Sequence, residues 1–457
     1  MVAFGNMNIE APPAINFSAF GPEELMRYFT NKEINAVVRK ANYEYLYWAE
    51  LKRQKLPAGF VPGPVWLLAK NSRLGNLRDL SVPGVPGCRF SYQVTEPTLE
   101  KLHRFDLYMG GIMQTDSIIP ADDRTRYLVG SIMEEAIASS QLEGAATTRE
   151  VAKDMLRKKR NPRNASERMI FNNYQTIQYI LEQKEQALTP EMLCQIQARM
   201  TQGTLENPEH EGRFRLNDEV RVEDFTTGEV VHIPPPHQHL PELLRWYCAL
   251  ANDEVPDQHG TPGSFIHPIV RASILHFLIG YIHPFVDGNG RTARAVFYWY
   301  LLRKGYWQLE YMSISRIIHK SASQYARAYL HTEYDGNDLT YFINYQVKTL
   351  DLAFTSLQQY IERKVAEKKQ LRSFRQFDQF NQRQVAILQE LMTDPDAIWT
   401  IREVQHRFGV VYDTARTDLM HLESLGLLDK RREGKVKILY LRAENFDEVV
   451  AGLKGGR

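Results

Sequence analysis

The sequence predicts a mainly α-helical protein with two short β-hairpins. Apolar residues recur at helical spacing over long stretches, for example in Asp123–Leu142. Strand-like alternation is confined to two places in the chain. The first is a pair of runs, Glu219–Val222 and Glu229–Ile233, and the second is the pair Leu428–Arg432 and Val436–Leu441. Helices therefore dominate the predicted fold, and each pair of runs predicts a hairpin.

Breaks in this pattern predict three parts of the chain. Residues 1–95 form an N-terminal helical region interrupted by proline and glycine, and residues 96–360 form a helical domain that contains the first hairpin. A charged, glutamine-rich stretch precedes a compact unit at residues 376–457. The order of that unit, three helices followed by two strands, is typical of a winged helix-turn-helix.

Composition excludes few classes of function. The chain has 457 residues and a formal net charge of +1, so bulk charge argues neither for nor against nucleic acid. The three cysteines are widely spaced, which indicates a reducing compartment without a disulfide framework. We see no signal-peptide pattern and no apolar run of membrane-spanning length. We therefore expect a cytoplasmic protein without a membrane partner.

The most informative stretch is Tyr281–Arg294, which reads YIHPFVDGNGRTAR. An apolar, helix-length run precedes this stretch and a second helical run follows it. The pattern therefore predicts that the stretch joins two helices. Gly288, Asn289 and Gly290 would then present backbone N–H groups at a helix N-terminus. The helix dipole and the unpaired donors favour an anion at such a place.

The charged residues of the same stretch suit a phosphate group. Arg291 and Arg294 are three positions apart, so both can face one anion from the same side of a helix. Asp287 supplies a carboxylate oxygen of the kind that Mg²⁺ bound to phosphates prefers. His283 belongs to the residue type whose reference pKa, before any effect of the folded protein, suits proton transfer near neutral pH. Together these residues predict a site that transfers a phosphorus-containing group.

Two other readings of this stretch are disfavoured. Gly288–Ala293 fits the dinucleotide pattern G-x-G-x-x-A and Glu310 follows at a suitable distance, but no strand precedes it and no βαβ unit surrounds it. A metal hydrolase built on His267, His276 and His283 would need a different spacing, because a zinc-binding helix places its histidines four residues apart. His267 and His276 are therefore interpreted as structural.

The same residues carry a family resemblance. The run HPFVDGNGRTAR matches the signature of the Fic (filamentation induced by cAMP) family, HPFx(D/E)GNGRxxR, at every defined position. Ser139–Gly144 matches the family's inhibitory pattern, (S/T)xxxE(G/N), and the hairpin that ends in HIPPP resembles its flap. Residues Glu96–Leu350 thus resemble a Fic core with an inhibitory helix (about 123–144) and a flap (219–233). A C-terminal winged helix recurs in relatives.

This resemblance implies a protein adenylyltransferase that moves AMP from ATP to a Ser, Thr or Tyr hydroxyl of a protein, with Mg²⁺. His283 would be the base that accepts the hydroxyl proton, and Asp287 would be the metal ligand. The remaining matches would bind the phosphates of ATP: Gly288, Asn289, Gly290, Arg291 and Arg294.

The resemblance also implies a built-in inhibitor. Ser139, Glu143 and Gly144 complete the inhibitory pattern, and the family counterpart of Glu143 pairs with the second arginine of the signature, here Arg294. Such a pair would occupy the arginine that the γ-phosphate needs. The alternative is that Glu143 merely ends a helix.

The hairpin and the adenine contact rest on weaker matches. Val231, His232 and Ile233 would belong to the flap that positions the target by strand addition, although a surface hairpin without function is also common. Relatives often have two adjacent aromatic residues near the nucleotide, whereas here Tyr325 is followed by Ala326. Tyr325 therefore stays a candidate adenine-side residue.

Two alternatives to the leading reading stay open. In the first, the enzyme removes AMP, with Glu143 activating water, or it uses another nucleotide. In the second, the chain is a DNA-binding regulator whose winged helix binds DNA. The predicted third helix of that unit carries Arg416 and Thr417, but its charge is mixed because it also carries three acids, Asp413, Asp418 and Glu423. The sequence leaves open the target protein, including the chain itself, and a homodimer.

Overall fold

The structure is a computed structural model, and it describes residues 9–14, 16–80, 82, 84–110, 121–224, 227–255, 265–374, 380–393, 397–433 and 437–455. The chain divides into two compact units, Met1–Leu357 and Gln358–Arg457. The predicted turn residues Thr226 and Gly434 lie outside the described part. No helix in the described ranges combines the length and the apolar character that a membrane crossing requires.

The fold is mostly helical, as predicted. The helices that begin in the first unit are α1 (Pro22–Thr30), α2 (Lys32–Tyr43), α3 (Trp48–Leu51), α4 (Pro62–Leu74), α5 (Glu96–Met109), α6 (Ala121–Leu142), α7 (Arg149–Arg157), α8 (Ala165–Glu182), α9 (Pro190–Thr201), α10 (Leu240–Ala251), α11 (Pro268–Ile282), α12 (Asn289–Arg303), α13 (Ile314–Lys320), α14 (Ala322–Tyr334) and α15 (Thr340–Phe374). Its strands form two antiparallel pairs, β1 (Arg78–Asp79) with β2 (Ser91–Tyr92) and β3 (Val222–Glu223) with β4 (Val230–His232).

Helices α11 and α12 form the centre of the first unit and pack against each other. Helix α11 is apolar on every side, which is the pattern of a helix surrounded by protein, and almost all of its residues are buried. It begins at Pro268, where the His267 Nδ1 atom accepts a hydrogen bond from the Ile269 N–H (3.2 Å). Helix α12 is buried along most of its length as well. The junction between them is therefore held on both sides by the core.

Buried polar contacts join the N-terminal helices to α14 and α15. Lys70 pairs with Asp335 (2.7 Å between Nζ and Oδ2). The Tyr45 hydroxyl donates to Asp338 (2.6 Å). Because such groups are costly to bury without partners, these contacts fix the N-terminal helices to the rest of the unit. The predicted boundary at residue 95 stays a prediction.

The first hairpin is shorter than its predicted strands. The prediction began the first strand at Glu219, but β3 begins at Val222, because the Glu219 N–H donates to the Asn217 side chain and closes a local turn instead. Val222 pairs with His232 and Glu223 with Val230, so a bulge interrupts the ladder. The hairpin nevertheless lies within the predicted 219–233.

The second unit contains α16 (Gln382–Thr393), α17 (Ile401–Phe408), α18 (Tyr412–Ser424), β5 (Leu428–Glu433), β6 (Lys437–Arg442) and α19 (Phe446–Gly455). Strands β5 and β6 are antiparallel, and Trp399 pairs with Tyr440 through two backbone hydrogen bonds of 2.8 Å. Leucines of α16 and α18 fill the core beneath the hairpin. The element order is the predicted one, while the winged-helix assignment stays a prediction.

Candidate active site

His283 ends helix α11. Its backbone is left-handed (φ 48°, ψ 58°), a conformation that side chains other than glycine adopt at some energetic cost, often at functional sites. Its Nδ1 atom donates to the Gly280 carbonyl (3.0 Å), so the lone pair of the ring is on Nε2. Burial lowers the pKa of His283 to about 4. The ring is therefore neutral near pH 7, in the form that accepts a proton.

The loop after His283 is fixed by side chains that bind its backbone. The Asn289 side chain accepts from the Phe285 N–H (3.0 Å) and donates to the Phe285 carbonyl (2.8 Å). The Arg215 guanidinium is buried and donates to the His283 carbonyl through Nε (3.0 Å), while the Arg215 N–H donates to the Pro284 carbonyl (2.9 Å). The position of His283 is thus set from both sides of the loop.

Helix α12 begins directly after this loop. Gly288 precedes it with a φ of 86°, and a methyl group at this position would also meet the Thr201 side chain at 2.9 Å, so only glycine suits it. Gln197 holds the preceding carbonyl of Asp287 (3.0 Å). Asn289 and Gly290 form the start of the helix, where the first N–H groups have no partner within the helix. This is the geometry of an anion-binding helix N-terminus.

Two buried arginines lie on the first turns of α12. Arg291 donates to the Met200 carbonyl through Nη1 (3.0 Å), and Arg294 donates through Nε to the Ser139 hydroxyl (2.8 Å). Among the residues that the structure describes, Arg291 Nε and Arg294 Nη1 are buried without a hydrogen-bond partner. Buried cations with donors to spare at a helix N-terminus fit a polyanionic ligand such as the phosphates of ATP.

The predicted inhibitory residues contact Arg294. Its Nη2 atom donates to the Ser139 carbonyl (2.9 Å) and to Glu143 Oε1 (3.0 Å). Helix α6 ends at Leu142, and Gly144 has a φ of 95°, which explains a glycine after Glu143. A methyl group at Gly290 would overlap the Glu143 carboxylate. Glu143 therefore lies against the start of α12, on the side where the phosphates are expected.

Asp287 has the environment of a metal ligand that is shared with a substrate. Its side chain is half exposed, its Oδ1 atom accepts from the Gly288 N–H (2.6 Å), and its Oδ2 atom lies 3.6 Å from Arg291 Nη2. A single carboxylate at the edge of a phosphate site fits Mg²⁺, which usually takes one or two protein oxygens and completes its shell with phosphates and water.

His232 fastens the hairpin to the site. Its Nε2 atom donates to the Tyr281 carbonyl (2.8 Å), and its Nδ1 atom lies 2.7 Å from Glu333 Oε2. Burial alone would lower the pKa of His232, but the Glu333 carboxylate raises it. Both ring nitrogens of His232 are hydrogen-bonded, and these two bonds link β4 to α11 and α14. Val231 beside it is partly buried, whereas Ile233 is exposed.

Tyr325 lies in the core. Its hydroxyl is 2.8 Å from His276 Nε2, and the other nitrogen of His276 accepts from Gln346 (2.7 Å). His276 is thus a satisfied structural residue, as interpreted from its spacing. Because the Tyr325 side chain is buried, an adenine contact through its ring would require space that neighbouring aromatic side chains fill. That role stays a prediction.

Three positioning residues were missed by the sequence reasoning: Arg215, Gln197 and Glu333. Each contacts a partner distant in the chain, and none lies within a recognisable run. The only local signal is that Arg215 stands just before the predicted hairpin, between the apolar residues Phe214 and Leu216. Their importance becomes visible only when the folded chain brings the partners together.

Known proteins share this region. Residues 187–301 match the Fic/DOC family. A protein of Nematostella vectensis named "Protein adenylyltransferase Fic" is 31% identical over 126 residues, which are 28% of this chain and 26% of the relative. A protein of Drosophila sechellia with the same name is 39% identical over 100 residues, which are 22% of this chain and 17% of the relative. The chain thus matches only a minor part of the length of these relatives.

Solved structures of Fic proteins are also similar. A Fic family protein from Desulfovibrio desulfuricans G20 has a TM-score of 0.48 and 17% identity, covering 76% of this chain and 94% of that one. Fic-1 from C. elegans has a TM-score of 0.46 and 15% identity, covering 76% and 89%. The matched residues 187–301 include the hairpin, α11 and most of α12. The family match thus covers the stretch that carries His283, Asp287 and Arg294.

Proposed function

We propose that this chain is a protein adenylyltransferase that restrains itself through Glu143. It would transfer AMP from ATP to a Ser, Thr or Tyr hydroxyl of a protein. The curated relatives bear the name of this activity, although the match covers only part of them. The wide spacing of the cysteines supports a reducing compartment, and we propose the cytoplasm.

One observation carries the proposal. The carboxylate of Glu143 is bonded to Arg294 and lies against Gly290, so it stands in the place that a negatively charged ligand of α12 would take. Buried arginines usually have their charge matched, and here a residue of the chain itself supplies the anion. A γ-phosphate would have to displace Glu143 to reach Arg294.

The chain's own residues account for the steps of the reaction. The target hydroxyl would lose its proton to His283 Nε2, and its oxygen would form a bond with the α-phosphorus of ATP. The bond from that phosphorus to the bridging oxygen would break, and pyrophosphate would leave. Arg291, Arg294 and the N–H groups at the start of α12 would neutralise the charge on the phosphates. The fixed neutral tautomer of His283 prepares it for the first step.

Asp287 would hold Mg²⁺ together with the phosphates of ATP. When bound, the ion supplies charge neutralisation for the phosphate oxygens and orients them. Gln197 donates to the Asp287 carbonyl, so the backbone position from which the Asp287 side chain extends is fixed next to Gly288.

Intact-mass spectrometry tests this function directly. The Glu143→Gly protein would be incubated with ATP and Mg²⁺, alone and with a cell extract as the source of targets. We expect proteins that gain the mass of one adenylyl group, and self-modification would appear in the sample without extract. Unmodified masses throughout, with ATP binding verified by calorimetry, would contradict the proposal.

Removal of AMP is the closest alternative. Glu143 lies beside the start of α12, where a carboxylate would also be near a water that attacks a bound AMP-protein ester. Incubation of a modified protein with the unmutated chain separates the two activities. Release of free AMP that is lost in Glu143→Gly would favour removal as the main reaction.

We also propose duplex DNA as a partner of the second unit. Asp418, one of the acids behind the mixed charge of α18, is buried and bonded to Arg383 (2.6 Å) and Asn381 (2.6 Å). The exposed face of α18 therefore presents Arg416 and Thr417, while Asp413 stays exposed on the same helix and Glu423 is half-buried. This supports α18 as a helix for the major groove.

The hairpin of the same unit adds positive charge. Lys430, Arg431 and Arg432 follow one another on β5 and are exposed, as phosphate-contacting residues must be.

Fluorescence anisotropy with labelled duplex DNA across a range of salt concentrations tests the binding of DNA by the second unit. Replacing Arg431 and Arg432 by alanine should reduce the slope of log affinity against log salt by roughly two, and Lys32→Ala should not. Absence of binding at low salt would contradict it.

A further inference from the structure

Exposed apolar side chains surround the predicted catalytic base. Leu216, just before the hairpin, is 86% exposed, and Ile233, just after β4, is 68% exposed. Val286, in the loop after His283, is 39% exposed. Scattered surface apolar residues need no explanation, but three that flank one site indicate a surface that is covered in use.

The backbone brings these residues to His283. Phe214 and Phe285 form an antiparallel bridge, and the Arg215 N–H donates to the Pro284 carbonyl. Leu216 directly follows Arg215, whose Nε atom donates to the His283 carbonyl (3.0 Å). Leu216 is therefore one residue away from a direct contact with the loop that carries the predicted base.

Ile233 belongs to the end of the hairpin, which is bonded to the helix that precedes His283. The preceding residue, His232, is bonded to the carbonyl of Tyr281, two residues before His283. Its second bond, to Glu333, fixes the strand to α14. Arg215 also donates to the Pro235 carbonyl, which ties the end of the hairpin to the catalytic loop. These anchors hold the apolar residues in a constant position relative to the base.

The hairpin around this apolar surface is acidic. Between Leu216 and Ile233 the described exposed side chains include only one base, Arg221. Three exposed acids of the same segment, Glu219, Glu223 and Glu229, outnumber it, while a fourth, Asp218, is already paired with the buried Arg215 (2.9 Å). The segment therefore has an excess of negative charge at its rim, although the whole chain is nearly neutral. Charges of this kind select partners of opposite sign and speed their encounter.

We propose that this surface binds an extended segment of the target in which an apolar residue is adjacent to the modified hydroxyl and lysines or arginines flank it. This inference rests on the proposed function, because it names the class of segment that would meet His283. Leu216, Ile233 and Val286 would contact the apolar residue. The acids of the hairpin, Glu223 and Glu229 among them, would face the flanking bases.

Direct peptide binding tests this surface without the need for AMP transfer. Fluorescein-labelled peptides with a central serine, threonine or tyrosine would be titrated with the full chain and followed by anisotropy. One series has leucine next to the hydroxyl and lysines outside it, a second has glutamates in place of the lysines, and a third has serine in place of leucine. At low salt we expect the lysine series to bind about tenfold more tightly than the glutamate series, and less so at high salt.

Matched variants locate the effect. Glu223→Lys combined with Glu229→Lys should reverse the preference between lysine and glutamate peptides. The control pair Glu150→Lys and Glu185→Lys changes two exposed acids outside the hairpin and should keep the preference. Leu216→Ser should remove the advantage of leucine over serine in the peptide, whereas Leu99→Ser, at an exposed leucine of α5, should not.

The outcomes separate this inference from the proposed reaction. Equal affinity for the three series, or a charge preference that survives the double charge reversal, would overturn the docking surface. Labelling of the same peptides from α-labelled ATP by the Glu143→Gly protein is measured in parallel. A binding preference without labelling would support the surface and overturn adenylyl transfer, and labelling without a preference would do the opposite.

Discussion

The junction between α11 and α12 and the hairpin β3–β4 lie beside each other but are built differently. In the junction, Asn289, Arg291 and Arg294 are buried, and each side chain is bonded to backbone or to another side chain. In the described part of the hairpin, Glu223, Glu229 and Val230 are exposed, and the buried His232 bonds it to α11.

This difference separates two tasks. The chemistry of a phosphate site needs charges and donors held at fixed places, which burial provides. Recognition of a target needs exposed side chains that can differ between enzymes without loss of the fold. We therefore expect substitutions in the junction to change the rate of transfer and substitutions in the hairpin to change the affinity for the target.

The largest expected effect is at His283. Because Nε2 is its free nitrogen, His283→Ala should remove the proton acceptor and reduce transfer by about 10²–10⁴-fold. Labelling from α-labelled ATP in the Glu143→Gly background measures the loss. ATP affinity, measured by calorimetry, should change little, and a comparable loss of ATP binding would instead indicate a structural role.

Glu143→Gly should have the second largest effect, in the opposite direction. The Glu143 carboxylate accepts a hydrogen bond from Arg294, and its removal frees this buried arginine for the γ-phosphate. ATP affinity and transfer should rise by roughly 10–100-fold, which corresponds to a charge-assisted hydrogen bond of about 1.5–3 kcal/mol. Glu143→Gln keeps the shape of the side chain and removes its charge. Its ATP affinity and transfer rate should therefore lie between those of the unmutated chain and of Glu143→Gly. Unchanged ATP binding in both variants would contradict inhibition by Glu143.

The same division between junction and hairpin separates the site residues that the sequence could predict from those that it could not. Residues 283–294 were predictable because their chemistry is contiguous, and every group of the predicted phosphate site lies within a dozen residues. Ser139 and Glu143 were found only through a pattern, since nothing local says that Arg294 is their partner. Arg215 and Glu333 escaped because their bonds join residues far apart in the chain. The start of β3 was wrong because a side-chain turn at Asn217 competes with the ladder.

Gly290 provides a third test, on stability. A methyl group at Gly290 would overlap the Glu143 carboxylate, so Gly290→Ala should destabilise the chain by about 1–3 kcal/mol through overpacking. In the Glu143→Gly background the obstacle is absent, and the same change should cost much less. A double-mutant cycle by thermal or urea unfolding measures the coupling. Equal costs in both backgrounds would mean that Glu143 does not lie against α12 in solution.

His232 tests the hairpin. His232→Gln keeps one donor but cannot bond to both Tyr281 and Glu333, so the hairpin should lose its fixed position. We expect the KM for the target to rise by about tenfold, the equivalent of about 1.4 kcal/mol, with a smaller change in kcat. His103→Gln, at an exposed histidine of α5, is the matched control. A fall in kcat with an unchanged KM would place His232 with the catalytic junction rather than with target binding.

The smallest expected effect is the pH response of His283 between pH 8 and pH 6. Burial lowers its pKa to about 4, so the ring should stay neutral over this range, whereas a histidine with an ordinary pKa of about 6.5 would become mostly protonated. NMR titration of ring-labelled histidines measures this, with His283→Asn to assign the resonance. Glu143 raises the pKa of His283, so Glu143→Gly should lower it further. A midpoint near 6.5 would show that the base is hydrated, and the contrast between a buried junction and an exposed hairpin would then fail at its central residue.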